Sequence, residues 1–173
     1  MSNNDTSAKH QNPNLDKKLS EVADPARVYI PKSTYWHNVK DAEYGMSKSS
    51  NNPMFTLTVE IVDHPGYPDT KNPGMIVDPN GTEAQFWVSL TEKAQGNVKK
   101  FFNACGLPTD ITINELLVKP DPSFLIGKKF FAIGYSKADP QIDEITKQPI
   151  KNPMTGEPVV FYQYKIGDVF PRQ

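Results

Sequence analysis

The chain has 173 residues, 37% of them hydrophobic, and a formal net charge of −1. This length suits one domain with a buried core, and the near-neutral charge excludes the global basic signature of many duplex-DNA binders while leaving room for a local basic groove. The single cysteine excludes an intrachain disulfide and a cysteine-rich zinc site.

Residues 1–25 are polar and almost free of large apolar side chains. Such a segment cannot bury enough surface to offset its ordering entropy, so a mobile arm is expected there, with the folded domain at 26–173. The opening MSNNDTSAKHQNPN lacks the apolar region of a signal peptide, and no apolar run reaches membrane-spanning length. Both points favour a soluble intracellular chain without a membrane partner.

A first strand is expected near 33–40. Residues 54–62 alternate cleanly, with Phe55, Leu57, Val59 and Ile61 facing one side and Thr56, Thr58 and Glu60 the other. The connection at 63–83 is long by ordinary loop priors. Within it, Asp78-Pro79-Asn80-Gly81 is a turn signal that predicts brief pairing of Met75–Val77 with the third strand. Residues 84–90 alternate again, with Phe86, Val88 and Leu90 opposite Gln85, Trp87 and Ser89.

A helix is predicted over 92–105, capped by Thr91, striped by Val98, Phe101, Phe102 and Cys105, and ended by Gly106 in a left-handed conformation. A short second helix follows near 111–118, stopped by Pro120 and Pro122. Further strands are expected near 128–135 and 158–166, joined by a second long loop at 136–157. The order predicts a mainly β fold: an OB-like five-stranded barrel with a helix between its third and fourth strands.

No catalytic constellation is present, so the chain does not read as an enzyme. His10, His37 and His64 lack metal-ligand spacing, and His37 reads as a satisfied strand residue rather than a base. There is no phosphate loop, no dinucleotide fingerprint and no nucleophile elbow. Asp63, Asp69 and Asp78 gather after the second strand, where they suit turn chemistry better than a nuclease metal site. No metal or organic cofactor is implied. Cys105 falls on the apolar helix stripe and reads as a small core residue.

The aromatic and basic residues carry the functional reading. Alternation leaves Trp87 pointing outward beside Thr56 and Thr58, with Trp36 and Lys40 on the matching face of the first strand and Tyr44 as a further aromatic candidate. An exposed ring beside lysines is the chemistry of a stacking platform, the ring holding a base and the ammonium groups its phosphates. Lys40 and Lys48 follow the first strand, Lys129 and Lys137 the fourth, and Lys147 and Lys151 lie in the loop after it.

The runs KSSNNPMFTLTVEIV at 48–62, NVKKFFNACGL at 97–107 and LIGKKFFAI at 125–133 resemble a phage family of replication and recombination genes. In that family a short turn leads into an alternating strand, followed by a helix and a Gly-Lys strand, over roughly residues 33–166 here. The family is similar to OB-fold single-stranded DNA-binding proteins. The resemblance implies binding of single-stranded DNA in the cytoplasm of an infected bacterium, with phage replication or recombination proteins as further partners and a homo-oligomer as an allowed state. The chain ends in KIGDVFPRQ rather than in the acidic tail with which many replicative single-strand binders recruit partners.

The expected function is sequence-independent coating and protection of single-stranded DNA. A virion or protein-interaction module that uses the barrel for assembly is the alternative, and a metal-dependent nuclease stands third.

Overall fold

The structure is a computed structural model that describes residues 29–172. The expected arm at 1–25 lies outside the described residues. Among the described residues, seven strands and two α-helices follow one another as β1 (Ser33–Met46), β2 (Pro53–Val62), β3 (Tyr67–Pro68), β4 (Ile76–Val77), β5 (Glu83–Ser89), α1 (Gln95–Cys105), α2 (Ile113–Val118), β6 (Lys129–Pro140) and β7 (Val160–Phe170). Short 3-10 turns precede α1 and β6.

Five strands form one antiparallel sheet in the order β5-β2-β1-β6-β7. The expected barrel is not closed: no ladder joins β5 to β7 among the described residues, although the two strands approach each other across the gap. Strong bending brings them together, and α1 packs against β5, β6 and β7 at that seam. A packed helix can cover the seam with apolar contacts, but it cannot pair the exposed edges.

The inner face follows the alternation of β2 and β5. Phe55, Leu57, Val59, Ile61, Ala84 and Val88 are buried, joined by Phe101 and Phe102 of α1 and by Phe130 and Ala132 of β6. Phe86 is only partly buried, yet its ring lies 5.3 Å from Phe101 and 5.6 Å from Phe130.

β1 runs six residues past its expected end at residue 40 because of a bulge between Val39 and Asp41. The extra residue, Lys40, reverses the phase. Tyr35, His37 and Val39 point inward before it, and Ala42 and Tyr44 take the inward side after it, opposite Leu57 and Phe55. A bulge bends its strand and sharpens the local twist, which suits a sheet that curls.

Three local expectations are corrected. Ile76–Val77 pairs with Tyr67–Pro68 in a separate two-stranded sheet rather than with β5. A turn forms there, but it spans Pro79–Thr82, and it delivers Gly81 and Thr82 to the backbone of Ile61 at the end of β2. Thr91 stands at the cap of the 3-10 turn, but its hydroxyl caps no backbone N–H and lies 3.4 Å from that of Ser89. Gly106 does end α1 in the left-handed region, with φ 69° and its N–H directed to Asn103 and Phe102.

The second long loop is shorter than expected. β6 and β7 extend into it, and the remaining connection, 141–159, closes its own backbone hydrogen bonds. Gln141, Ile150 and Val159 each donate to another of the three, with turns at 143–148 and 152–157 on either side. The tips of this arm expose Ile145 and Met154, at 92% and 93%.

Candidate nucleic-acid interface

Cross-strand register sets the outer face of the sheet. Glu43, Thr56 and Trp87 form one row across β1, β2 and β5, and Asp41, Thr58 and Gln85 the next. Asn38, Glu60 and Glu83 form a third, flanked on β6 by Lys129. Trp87 is 53% exposed, as an outward indole should be.

Three of the expected site residues converge. Trp87, Thr56 and Lys48 line an open groove of about 640 Å³ at the β1–β2 hairpin, together with Glu43, Met46 and Met54. Tyr44 borders it, but register turns the Tyr44 ring to the inward side, 6.3 Å from Phe55, so it does not join Trp87 as a stacking ring. The groove exists because β1 continues beyond its bulge, which carries Glu43 and the hairpin loop to the side of Trp87. Gly45 lies in the groove wall with nothing within 4 Å of where a Cβ would stand, so the floor is open at that point.

The other expected residues lie elsewhere. Thr58 accepts a hydrogen bond from Gln85 Nε2 at 3.1 Å. Lys40 hydrogen-bonds Glu83 and lies 3.6 Å from Glu60. These two carboxylates raise the Lys40 pKa, the hydrogen bond to Glu83 most strongly. Lys129 pairs with Asp63 at 2.7 Å and Lys137 with Asp139 at 3.4 Å. A phosphate would have to displace a carboxylate from each of these three lysines.

Lys147 and Lys151 belong to the arm and make no ion pair among the described residues. β6 pairs with β1 only from Lys129 to Gly134, so its continuation and the arm pass beyond the Ser33 end of β1. The Trp87 groove lies at the Met46 end. Trp36 is outward, as expected, but it packs on Phe131 rather than joining the groove.

The carboxylates after β2 are occupied by local structure. Asp69 accepts from the Lys71 N–H and from Asn72, which lowers its pKa. Asp78 accepts from Asn80, and Asp63 holds Lys129. Among the described residues no three His, Cys, Asp or Glu side chains gather as a metal site, and no helix is long and apolar enough to cross a membrane. Cys105 is buried, and burial pushes its thiol up to about 12.

His37 lies on the inner face, fully buried, with Nε2 2.7 Å from the Tyr164 hydroxyl. Its Nδ1 meets no hydrogen-bond partner, so the ring is satisfied on one side only. Burial lowers its pKa to about 4, which makes it a neutral core residue at pH 7.

Sequence reasoning missed two aromatic surfaces. One is the outward row Trp36, Phe131 and Phe170. The other is a cleft of about 520 Å³ between the β3–β4 hairpin and β7, where Tyr29, Tyr67 and Tyr162 meet Lys71. The Tyr29 and Tyr162 rings stand edge to face at 5.4 Å, and the Tyr67 hydroxyl donates to the Tyr29 carbonyl. Both surfaces depend on pairings distant in sequence, which periodicity within one strand does not reveal.

Comparison with protein-family models gives no match, and comparison with curated proteins gives none either.

Proposed function

We propose that this chain binds single-stranded DNA without sequence preference, as an OB-type module serving phage replication or recombination in the host cytoplasm. An OB-fold is a five-stranded, partly open barrel whose second and third strands form the ligand face. The corresponding strands here are β2 and β5, on which Thr56 and Trp87 stand opposite each other. The observation that carries the reading is Trp87: a half-exposed indole on that face, set in a groove with Thr56 and Lys48. The indole would stack on a base while Lys48 neutralises a phosphate, and no bond is made or broken.

The test is titration with labelled oligo(dT). Trp87 fluorescence should fall on binding, and Trp87→Ala should weaken binding by about 1–3 kcal/mol, the usual worth of one stacked base. Its melting temperature should stay close to that of the parent, because the side chain is more exposed than buried. Binding of oligo(dT) by Trp87→Ala at parental affinity, or a preference for duplex, would overturn the reading.

A second reading has its own support. The groove also exposes Met46 beside a partly buried Met54, an apolar lining that suits a protein contact in an assembly module. In that case Trp87→Ala would change oligomer size and leave oligo(dT) unbound in both proteins.

A further inference from the structure

The outer face carries a second aromatic surface, remote from the Trp87 groove. Register places Trp36 of β1 opposite Phe131 of β6, and Phe131 opposite Phe170 of β7. Their ring centroids lie 5.2 Å and 6.2 Å apart along the row. Trp36 and Phe170 remain 38% and 37% exposed. The row lines a pocket of about 550 Å³ whose other walls are Thr34, Ala104, Pro171 and Arg172.

Arg172 supplies the only charge in that lining. Its guanidinium has no carboxylate partner among the described residues. It lies over Gly106 at the end of α1, with Nη1 2.7 Å from where a Cβ on that glycine would stand. The site therefore offers flat apolar rings beside one unpaired planar cation, a combination that matches a base and its phosphate. A second copy of the chain fits less well, because a two-fold contact centred on this row would bring two Arg172 side chains together with no carboxylate between them.

We propose that Trp36, Phe131, Phe170 and Arg172 form a second contact for single-stranded DNA, taking a base on the rings and its phosphate on Arg172. The proposal rests on the single-strand reading above and adds that binding is bipartite. Trp36 lies opposite Val62, and Trp87 opposite Thr56. The two indoles are thus separated by on the order of 20 Å along β2, plus two strand spacings across it. The row of Asn38, Glu60 and Glu83 lies between them, so a strand linking the two platforms passes around or over two carboxylates that Lys40 holds. A very short oligonucleotide occupies one platform, and a longer one occupies both.

The chain has two tryptophans, one on each platform, which lets each site report on itself. Trp87→Phe leaves Trp36 as the sole indole, and Trp36→Phe leaves Trp87. Each protein is titrated with oligo(dT) of about 4 and about 16 nucleotides, the span of site sizes for one OB fold. Quenching of Trp36 in the Trp87→Phe protein is expected. Adding Arg172→Gln, which leaves the rings untouched, should weaken that response and reduce the slope of log affinity against log salt by about 0.7. Adding Phe170→Ala instead should weaken it roughly 5- to 150-fold, as loss of one stacking partner does. If Trp36 stays unquenched while Trp87 responds in Trp36→Phe, the second contact is refuted and the proposed function stands. If neither indole responds, the single-strand reading itself falls. If Trp36 emission changes with protein concentration alone, and sedimentation shows larger species, the row seats a second copy and the proposal is overturned.

Discussion

Gly134 and Tyr164 show how tightly single residues are specified on the inner face. A Cβ on Gly134 would collide with the Tyr164 hydroxyl, so only glycine lets that hydroxyl cross β6 and reach His37 on β1. The His37 ring is stacked on Phe130 at 5.3 Å, which leaves the imidazole in an apolar shell and holds its pKa near 4. The unfolded chain binds a proton at His37 below about pH 6.5, and the folded chain does not until about pH 4. The stability this residue contributes is therefore complete above the upper value and lost as pH falls through that window. About 2 kcal/mol should disappear between pH 7 and pH 5. Urea denaturation of the parent and of His37→Gln at both pH values checks this, and equal pH dependence in the two proteins would refute it. The half-satisfied ring was not legible in the sequence, because Tyr164 lies 127 positions away and nothing local to His37 points to it.

At the scale of elements, legibility depended on whether a strand has two different faces. β2 and β5 alternate without a break, so their inward and outward residues, Trp87 included, could be read directly. The Lys40 bulge interrupts β1 and hid its second half, and with it the wall that Glu43 adds to the groove. β6 and β7 are apolar on both faces around Phe130-Phe131 and Val169-Phe170, so alternation could not separate core from platform there. The expected short helix forms as α2, and its start carries a capping box that sequence reasoning did not name: the Thr112 and Glu115 side chains each bond the other's backbone N–H. The α1 stripe was read correctly, and its load is concentrated in Phe101, which lies 5.3 Å from Phe86 and 5.2 Å from Phe130. Phe101→Ala should cost about 3–5 kcal/mol, as large-to-small core changes do. It should also loosen the seam, so amide exchange in β5 and β7 should quicken more than in the central pair β1–β2. A loss shared evenly by all strands would mean that α1 does not hold the seam.

For the proposed binding of single-stranded DNA, the decisive quantity at the scale of the whole molecule is which cations can meet the phosphate backbone without giving up an ion pair. Lys40, Lys129 and Lys137 are engaged with carboxylates on the outer face or beside it, so the strand does not gain their charge without giving up an ion pair. Lys48 in the groove, Arg172 beside the aromatic row, and Lys147 and Lys151 in the arm are the cations best placed to act. Each phosphate neutralised on a single strand contributes about −0.7 to the slope of log affinity against log salt. Four contacts therefore predict a slope of roughly −3, and the double variant Lys147→Gln/Lys151→Gln should bring the slope to roughly −1.5. The arm lies past the Ser33 end of β1 and the groove at the Met46 end, so this change tests whether one strand of DNA spans the molecule. A parental slope already near −1.5, unaltered by the double variant, would confine binding to the sheet face and leave the arm free for another partner. A slope much steeper than −3 would mean that the outer-face ion pairs open on binding, so that Lys40 and Lys129 exchange Glu60, Glu83 and Asp63 for phosphate. Lys40→Gln would then flatten the slope, whereas with the ion pairs closed it leaves the slope unchanged.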